Sequence, residues 1–206
     1  MTTSEYLKAP CRALSIPLWK ARRIQIPDFL KIVHGDEFQE GLLDAYSDTP
    51  YFRLIHDLQT IPHPELPAPF AFGTATVEEY AAHIHDCYPD LGVTPAELSS
   101  YVRHPVHCPE LWIAVRDLRT GAIAASGIAE LDRDTGEGIL EWVQVSPPFR
   151  SIGLGTCVVR ELLGRMQGRA AFATVSGRQD DPCNPEGLYC KCGFTGSDVW
   201  HILRKH

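Results

Sequence analysis

Residues 140–163 read LEWVQVSPPFRSIGLGTCVVRELL, and the fold is decided here. Residues 139–145 are apolar and rich in β-branched side chains, as a buried strand requires. Ser146, Pro147 and Pro148 stop that strand, because proline brings no N–H to a ladder. From Arg150-Ser151-Ile152-Gly153-Leu154-Gly155-Thr156 a helix opens, with Val158, Val159, Leu162, Leu163 and Met166 at helical spacing. Strand, glycine-bearing turn and helix start, in that order, gather free backbone N–H groups at the positive end of a helix dipole. Such a point attracts an anion, a phosphate above all. Gly153 and Gly155 lack side chains, so phosphate oxygens can come close to the main chain.

Working outward, residues 111–115, 122–131 and 139–145 form three strands joined by turns at Arg119-Thr120-Gly121 and at 134–138, an antiparallel meander. Downstream of the helix, 170–175 (AAFATV) suits a buried parallel strand reached by a right-handed crossover. Asn184 with Pro185 caps a short helix through Lys191 that Gly193 ends, and 199–203 make a last strand. Upstream of the meander, Thr76 with Glu79 starts one helix, and Thr94 with Pro95 and Glu97 another. Pro62, Pro64, Pro67 and Pro69 make 60–69 an extended connection. Residues 51–58 alternate as a strand, with a short helix as the other reading. Asp36 with Gln39 is a capping box ahead of Phe38, Leu42, Leu43 and Tyr46, and 30–33 a short strand. Pro10, Pro17 and Pro27 break up residues 1–30, which read as a largely irregular arm.

The chain's 206 residues suit one domain with an appendage. A net charge of −7 argues against a nucleic-acid partner, and no apolar run approaches the ~20 residues of a membrane span. Seven cysteines, an odd number without a secretory signal, read as free thiols of a cytoplasmic protein. His83-x-His85, His104-x-x-His107-Cys108 and the trio Cys183, Cys190 and Cys192 lack the paired spacing of a structural zinc site, so no metal is expected.

With these elements in place, the chain resembles the GCN5-related N-acetyltransferase superfamily. Arg150-x-x-Gly153-x-Gly155 matches its acyl-CoA pyrophosphate loop, with Val143 to Pro147 (VQVSP) before it and an amphipathic helix after it. Residues 184–194 (NPEGLYCKCGF) resemble its second signature, an Asn-started helix carrying a tyrosine before Gly-Phe. Members often place that asparagine about seven residues before the tyrosine; Asn184 and Tyr189 are closer. The resemblance covers residues 111–206 well and 77–110 in part. It implies an α/β fold with a mostly antiparallel sheet, splayed between 139–145 and 170–175 and flanked by helices, over 31–206.

The resemblance further implies acetyl-CoA as cosubstrate and an amine-bearing small molecule or protein as acceptor. Attack is direct, in a ternary complex, by a monomer or homodimer. The alternative is a non-catalytic acyl-CoA-binding domain. The pyrophosphate falls to the main chain of Arg150, Ser151, Ile152, Gly153, Leu154, Gly155 and Thr156, with Asn184 a further cofactor contact or a plain helix cap. Pantetheine pairs with the strand at Val143 and Val145. Tyr189 is the candidate acid for the leaving thiolate, or an aromatic packed on the cofactor. Glu141 interrupts an apolar strand, and a carboxylate there needs a reason. It is the candidate base, placed on the face of Val143 and Val145 with Trp142 and Gln144 opposite, unless a water chain does that work. The acceptor side falls to residues 30–110, where His34, Tyr51, Tyr80 and His83 are candidates to line it.

Overall fold

Short apolar strands alternate with glycine-bearing turns in residues 57–173, one of two units into which the chain divides; the other comprises 1–56 and 174–206. A computed structural model describes all of residues 1–206.

In 57–173 the strands are β3 (Phe70–Gly73), β4 (Trp112–Asp117), β5 (Ile123–Asp132) and β6 (Glu137–Val145), numbered after two strands of the other unit. They lie in the order β6-β5-β4-β3, and each pairs antiparallel with its neighbour. The turns hold for local reasons. Gly121 takes φ +75° and donates its N–H to the Asp117 carbonyl at 2.7 Å. The Thr135 hydroxyl donates to the Asp132 carboxylate at 2.8 Å, closing the turn before β6. β3 was not expected; the extended proline segment ends by adding this strand to β4.

Helices α4 (Val77–Cys87) and α5 (Pro95–Tyr101) start where their caps sit, Thr76 accepting from the Glu79 N–H and Thr94 from the Glu97 N–H. They close a core of Tyr80, Ala81, Ile84, Leu98, Trp112, Ala114 and Ile128. The opposite face takes α6 (Leu154–Met166), whose Val158, Val159, Leu162, Leu163 and Met166 are fully buried, as their spacing predicted. Each such side chain contributes about 1.5–3 kcal/mol. Gly127 makes the contact possible: a Cβ there would lie 2.6 Å from Val158 Cγ1 and 2.9 Å from Leu162 Cδ1.

In the other unit the strand order is β1 (Leu30–His34), β8 (Thr195–Lys205), β2 (Tyr46–His56) and β7 (Phe172–Arg178), with β8 antiparallel to both β1 and β2. The first residues of β7, Phe172 and Ala173, belong to the 57–173 unit. α7 (Pro185–Lys191) starts at Asn184 as expected.

Two expectations need correction here. First, residues 1–30 are irregular over only about half their length: they contain α1 (Thr3–Lys8), α2 (Pro10–Ala13) and α3 (Leu18–Ala21), and they belong to the same unit as the C-terminal strands. The prolines start helices rather than breaking them: Pro10 occupies the first turn of α2 and Pro17 caps α3. These helices close over Arg53, 2% exposed, whose guanidinium donates to the Tyr6 hydroxyl at 3.1 Å and the Ser15 carbonyl at 3.3 Å. Trp200 adds a bond from its indole N–H to the Cys11 carbonyl at 2.8 Å. Second, Asp36 caps no α-helix. Its carboxylate pairs with Arg12 and its N–H goes to His34 Nδ1, so the chain makes only 3-10 turns at Gly35–Glu37 and Glu40–Asp44.

All seven cysteines are free thiols. No helix is long and apolar enough to cross a membrane. The fold is mixed α/β, its strands mostly antiparallel and flanked by helices, as expected.

Candidate functional site

β6 carries an irregularity that sequence alternation hides. Ile128 pairs with Trp142 and Ala129 with Leu140, so one step on β5 faces two on β6, and Glu141 is the extra residue of a β-bulge. The bulge exchanges the two faces of the strand. Before it, Gly138 faces α6, where an added Cβ would collide with Met166. After it, Val143 pairs with Gly127 on the α6 side, while Gln144 pairs with Ser126 on the side of α4. Glu141, unpaired at the bulge, stands outside the regular alternation that places Val143 and Val145 on one face. Trp142 and Gln144 lie on the opposite face from Val143, as expected. Trp142 packs against the α4 core, and Gln144 is buried with its amide N–H on the Ser126 hydroxyl.

Beyond β6, the Ser146 N–H donates to the Ala124 carbonyl at 2.9 Å and its hydroxyl to the Ile123 carbonyl at 3.2 Å. A 3-10 turn at Pro147–Phe149 follows, its Phe149 ring edge-on to Phe70 at 5.5 Å. Arg150 folds back, Nε donating to the Val145 carbonyl at 3.1 Å. The Tyr88 hydroxyl donates to the Val143 carbonyl at 3.4 Å. Ser151 at φ +65° and Gly153 at φ +91° then swing the chain into α6. Serine is strained in that region, whereas glycine adopts it freely. A Cβ at Gly153 would meet no atom within 4 Å, so the space in front of it is open.

The first bond closed by α6 runs from the Cys157 N–H to the Gly153 carbonyl at 3.1 Å. The N–H groups of Leu154, Gly155 and Thr156 precede it and have no acceptor within the helix. No side chain caps this start and no acidic residue lies in its first turn. Four other helix starts differ: Thr2, Thr76, Thr94 and Asn184 each cap with a side chain, and each of those first turns carries a glutamate, whereas the four-residue α2 and α3 are uncapped like α6. An uncapped thirteen-residue helix with Arg150 beside its start fits a phosphate in both geometry and charge.

The comparisons with known proteins bear on this arrangement. No family model matches the sequence, and no curated protein matches it. Among solved structures the chain is similar to a GCN5-related N-acetyltransferase from Sphaerobacter thermophilus, with TM-score 0.73 and 18% identity over 85% of this chain. It spans 58% of that protein's length. A GCN5-related N-acetyltransferase from Kribbella flavida gives TM-score 0.56 at 18% identity, over 85% of this chain and 67% of its own. Ard1 from Thermoplasma volcanium gives 0.53 at 14%, over 66% of this chain and 97% of its own. The fold is that of the GCN5-related N-acetyltransferases.

Of the residues read from sequence, the structure brings Glu141, Val143, Val145 and Arg150 to Thr156 together in the 57–173 unit of this N-acetyltransferase fold. Asn184 and Tyr189 belong to the other unit. There Asn184 is a helix cap: its Oδ1 accepts the Gly187 N–H at 3.1 Å, and Gly187 leaves the room, since a Cβ on it would lie 2.6 Å from the asparagine amide. Tyr189 is 7% exposed, with ring centroids 5.6 Å from Phe194 and 6.1 Å from Phe52. Of the residues considered for the acceptor, Tyr80 is core, its hydroxyl pKa pushed up to about 12 by burial. His34 is bonded to Asp198 at 3.0 Å.

His83 is the informative one, and its partners escaped the sequence reading. On α4 it is 5% exposed, with Nδ1 2.8 Å from the Ser126 hydroxyl and Nε2 2.8 Å from the Ser146 hydroxyl. Burial pushes its pKa down to about 4, Asp86 acting weakly the other way. A histidine against a serine suggests a nucleophile and its base. The geometry points to a structural serine: its hydroxyl also lies 3.2 Å from the Ile123 carbonyl, and its N–H and carbonyl are held by Ala124 and Phe149. The signal available in sequence was Gln144, a polar side chain inside a buried strand.

Proposed function

We propose that the chain transfers an acetyl group from acetyl-CoA to a primary amine, by direct attack in a ternary complex. One observation carries this reading: an uncapped α6 start, open in front of Gly153, joined to a strand that bulges at Glu141. The loop N–H groups from Arg150 to Thr156 would hold the pyrophosphate, with the Arg150 guanidinium turning from the Val145 carbonyl toward the phosphates. Pantetheine amides would pair at Val143 and Val145, replacing the single side-chain donors that reach those carbonyls. The acceptor nitrogen, once neutral, attacks the thioester carbon; the C–N bond forms, the C–S bond breaks, and the thiolate takes a proton. Glu141 is the proposed base, directly or through water, and Tyr189 the proposed acid.

The experiment is a thiol-release assay with acetyl-CoA over amines, amino sugars and peptides, run beside calorimetric binding of coenzyme A. Release with one acceptor class supports transfer. Binding without release on any acceptor would instead favour a non-catalytic acyl-CoA domain, and absence of binding removes both. Tyr189→Phe should lower turnover by roughly 10²–10³-fold with acetyl-CoA affinity unchanged. Wild-type turnover in that variant would remove the acid role.

A further inference from the structure

Four hydrogen bonds converge on Ser146, the residue where β6 ends and the loop begins. Its N–H goes to Ala124 and its hydroxyl proton to Ile123; its carbonyl accepts from Phe149 N–H at 2.9 Å, and its hydroxyl oxygen meets His83 at 2.8 Å. With the Gln144 amide donating to Ser126, a longer chain takes one consistent direction. With the Ser146 proton on the Ile123 carbonyl, the bond to His83 is donated by Nε2–H. Nδ1 then carries no proton and accepts from the Ser126 hydroxyl. Ser126, having donated, accepts from the Gln144 amide. Every donor points the same way, from Gln144 through Ser126 and His83 to Ser146 and Ile123. A neutral imidazole with one defined tautomer uses both of its ring nitrogens in this chain, and the depressed pKa agrees with that form.

We infer that His83 is a positioning residue for the loop at 146–156, holding it from α4 through Ser146. This rests on the donor-binding reading of that loop for its meaning, though not for its geometry. Besides the packing of Trp142, side-chain hydrogen bonds join α4 to the end of the donor strand through His83 at Ser146 and, just past the helix end, through Tyr88 at the Val143 carbonyl. His83 is the buried contact of the two, and it acts where the strand turns into the loop. Ser126 lies on β5 with no bond to any loop residue, so its hydroxyl reaches the loop through the imidazole or, on the other side, through Gln144.

The test uses that remoteness. Amide hydrogen exchange at Phe149 and Cys157 in the free protein reports loop order, because both N–H groups are bonded there. Ser126→Ala should raise exchange at Phe149 by about tenfold, the effect of one lost hydrogen bond. Ser146→Ala should do the same, and the double variant should exceed neither single one. In a His83→Gln background Ser126→Ala should add nothing. Wild-type exchange in Ser126→Ala, additivity in the double variant, or an undiminished Ser126→Ala effect without His83 would each overturn the inference. If His83→Gln does not fold, the two-serine cycle decides alone. Coenzyme A titrations run alongside should show about tenfold weaker binding for Ser126→Ala. A wild-type protein that binds no coenzyme A would overturn the donor-site reading while leaving the exchange result standing, which keeps the two failures distinct.

Discussion

α6 and α7 begin in opposite ways, although both starts carried the same expectation of touching acyl-CoA. α7 is closed by its own chain: Pro185 follows the cap, Asn184 takes the Gly187 N–H, and Glu186 supplies negative charge to the first turn. α6 has glycine where α7 has asparagine, no side-chain acceptor, no acid, and an arginine three residues before it. A helix start must satisfy its orphan N–H groups from somewhere. α7 does so in part internally, through the Asn184 cap on Gly187 and a proline that has no N–H to satisfy. α6 leaves the task to solvent or to an anion. Equal motif status in sequence thus conceals unequal chemical availability, and the difference lies in one side chain.

The largest effect should come from filling the open start. Gly153→Val puts a β-branched residue at φ +91°, a strain of roughly 1–2 kcal/mol, and puts its methyl groups where a phosphate would sit. Coenzyme A affinity should fall by more than about 100-fold, with the melting temperature only modestly lower. Gly153→Asn separates the two causes, since asparagine tolerates left-handed backbone. It should keep most of the stability and still lose affinity. Wild-type affinity in both variants would make α6 no different from α7.

The elements were legible wherever a local cap or period dictated them. Thr76 with Glu79, Thr94 with Pro95, Asn184 with Pro185 and the apolar stripe of α6 each form within a few residues, so the chain itself states them. Thr2 with Glu5 stated a helix just as clearly, but Pro10 and Pro17 were weighed as breakers instead of helix starts. What stayed hidden depends on partners distant in sequence. The bulge at Glu141 exists only in register with β5, and period-two counting does not carry across it. His83 and Ser146 stand 63 positions apart, and nothing local to either announces the other. The loop was readable; the residue that steadies it was not.

A second effect is pH-dependent and belongs to the same neighbourhood. His83 has a folded pKa near 4 against an ordinary 6.5, so the unfolded chain binds its proton first. Its contribution is fully present above about pH 6.5 and is lost as pH falls toward 4. Between about pH 7.5 and pH 5 the wild type should lose about 2 kcal/mol through this group, and His83→Gln should lack that part of the slope. Denaturant titrations at the two pH values measure it, and identical slopes in both proteins would show the imidazole is already accessible to protons.

Smaller still is the effect at the closed start. Asn184→Ala removes the cap and should cost about 1 kcal/mol of stability. Coenzyme A affinity should stay at the wild-type level, because the asparagine side chain is already engaged with Gly187. A loss of affinity comparable to that of Gly153→Val would collapse the distinction between the two helices.

The smallest expected change sharpens the comparison most, because it attempts to turn α6 into a helix like α7. Ile152 is 48% exposed and immediately precedes the Gly153 that starts α6. A glutamate in its place sits on the surface, touches no core, and brings a carboxylate to the positive end of the helix. Alone it should stabilise the protein by about 0.3–1 kcal/mol, the usual worth of a negative charge near a helix start. The same charge should weaken coenzyme A by repulsion and by competing for the N–H groups, and the loss should shrink as salt screens it. Ile152→Gln, with the same shape and no charge, should change neither quantity. Higher stability with lower affinity, both erased in the glutamine variant, would mean that the N–H groups at α6 serve whichever anion is present. Higher stability with unchanged affinity would mean that the phosphates bind elsewhere and that the open start of α6 is an ordinary solvated helix end.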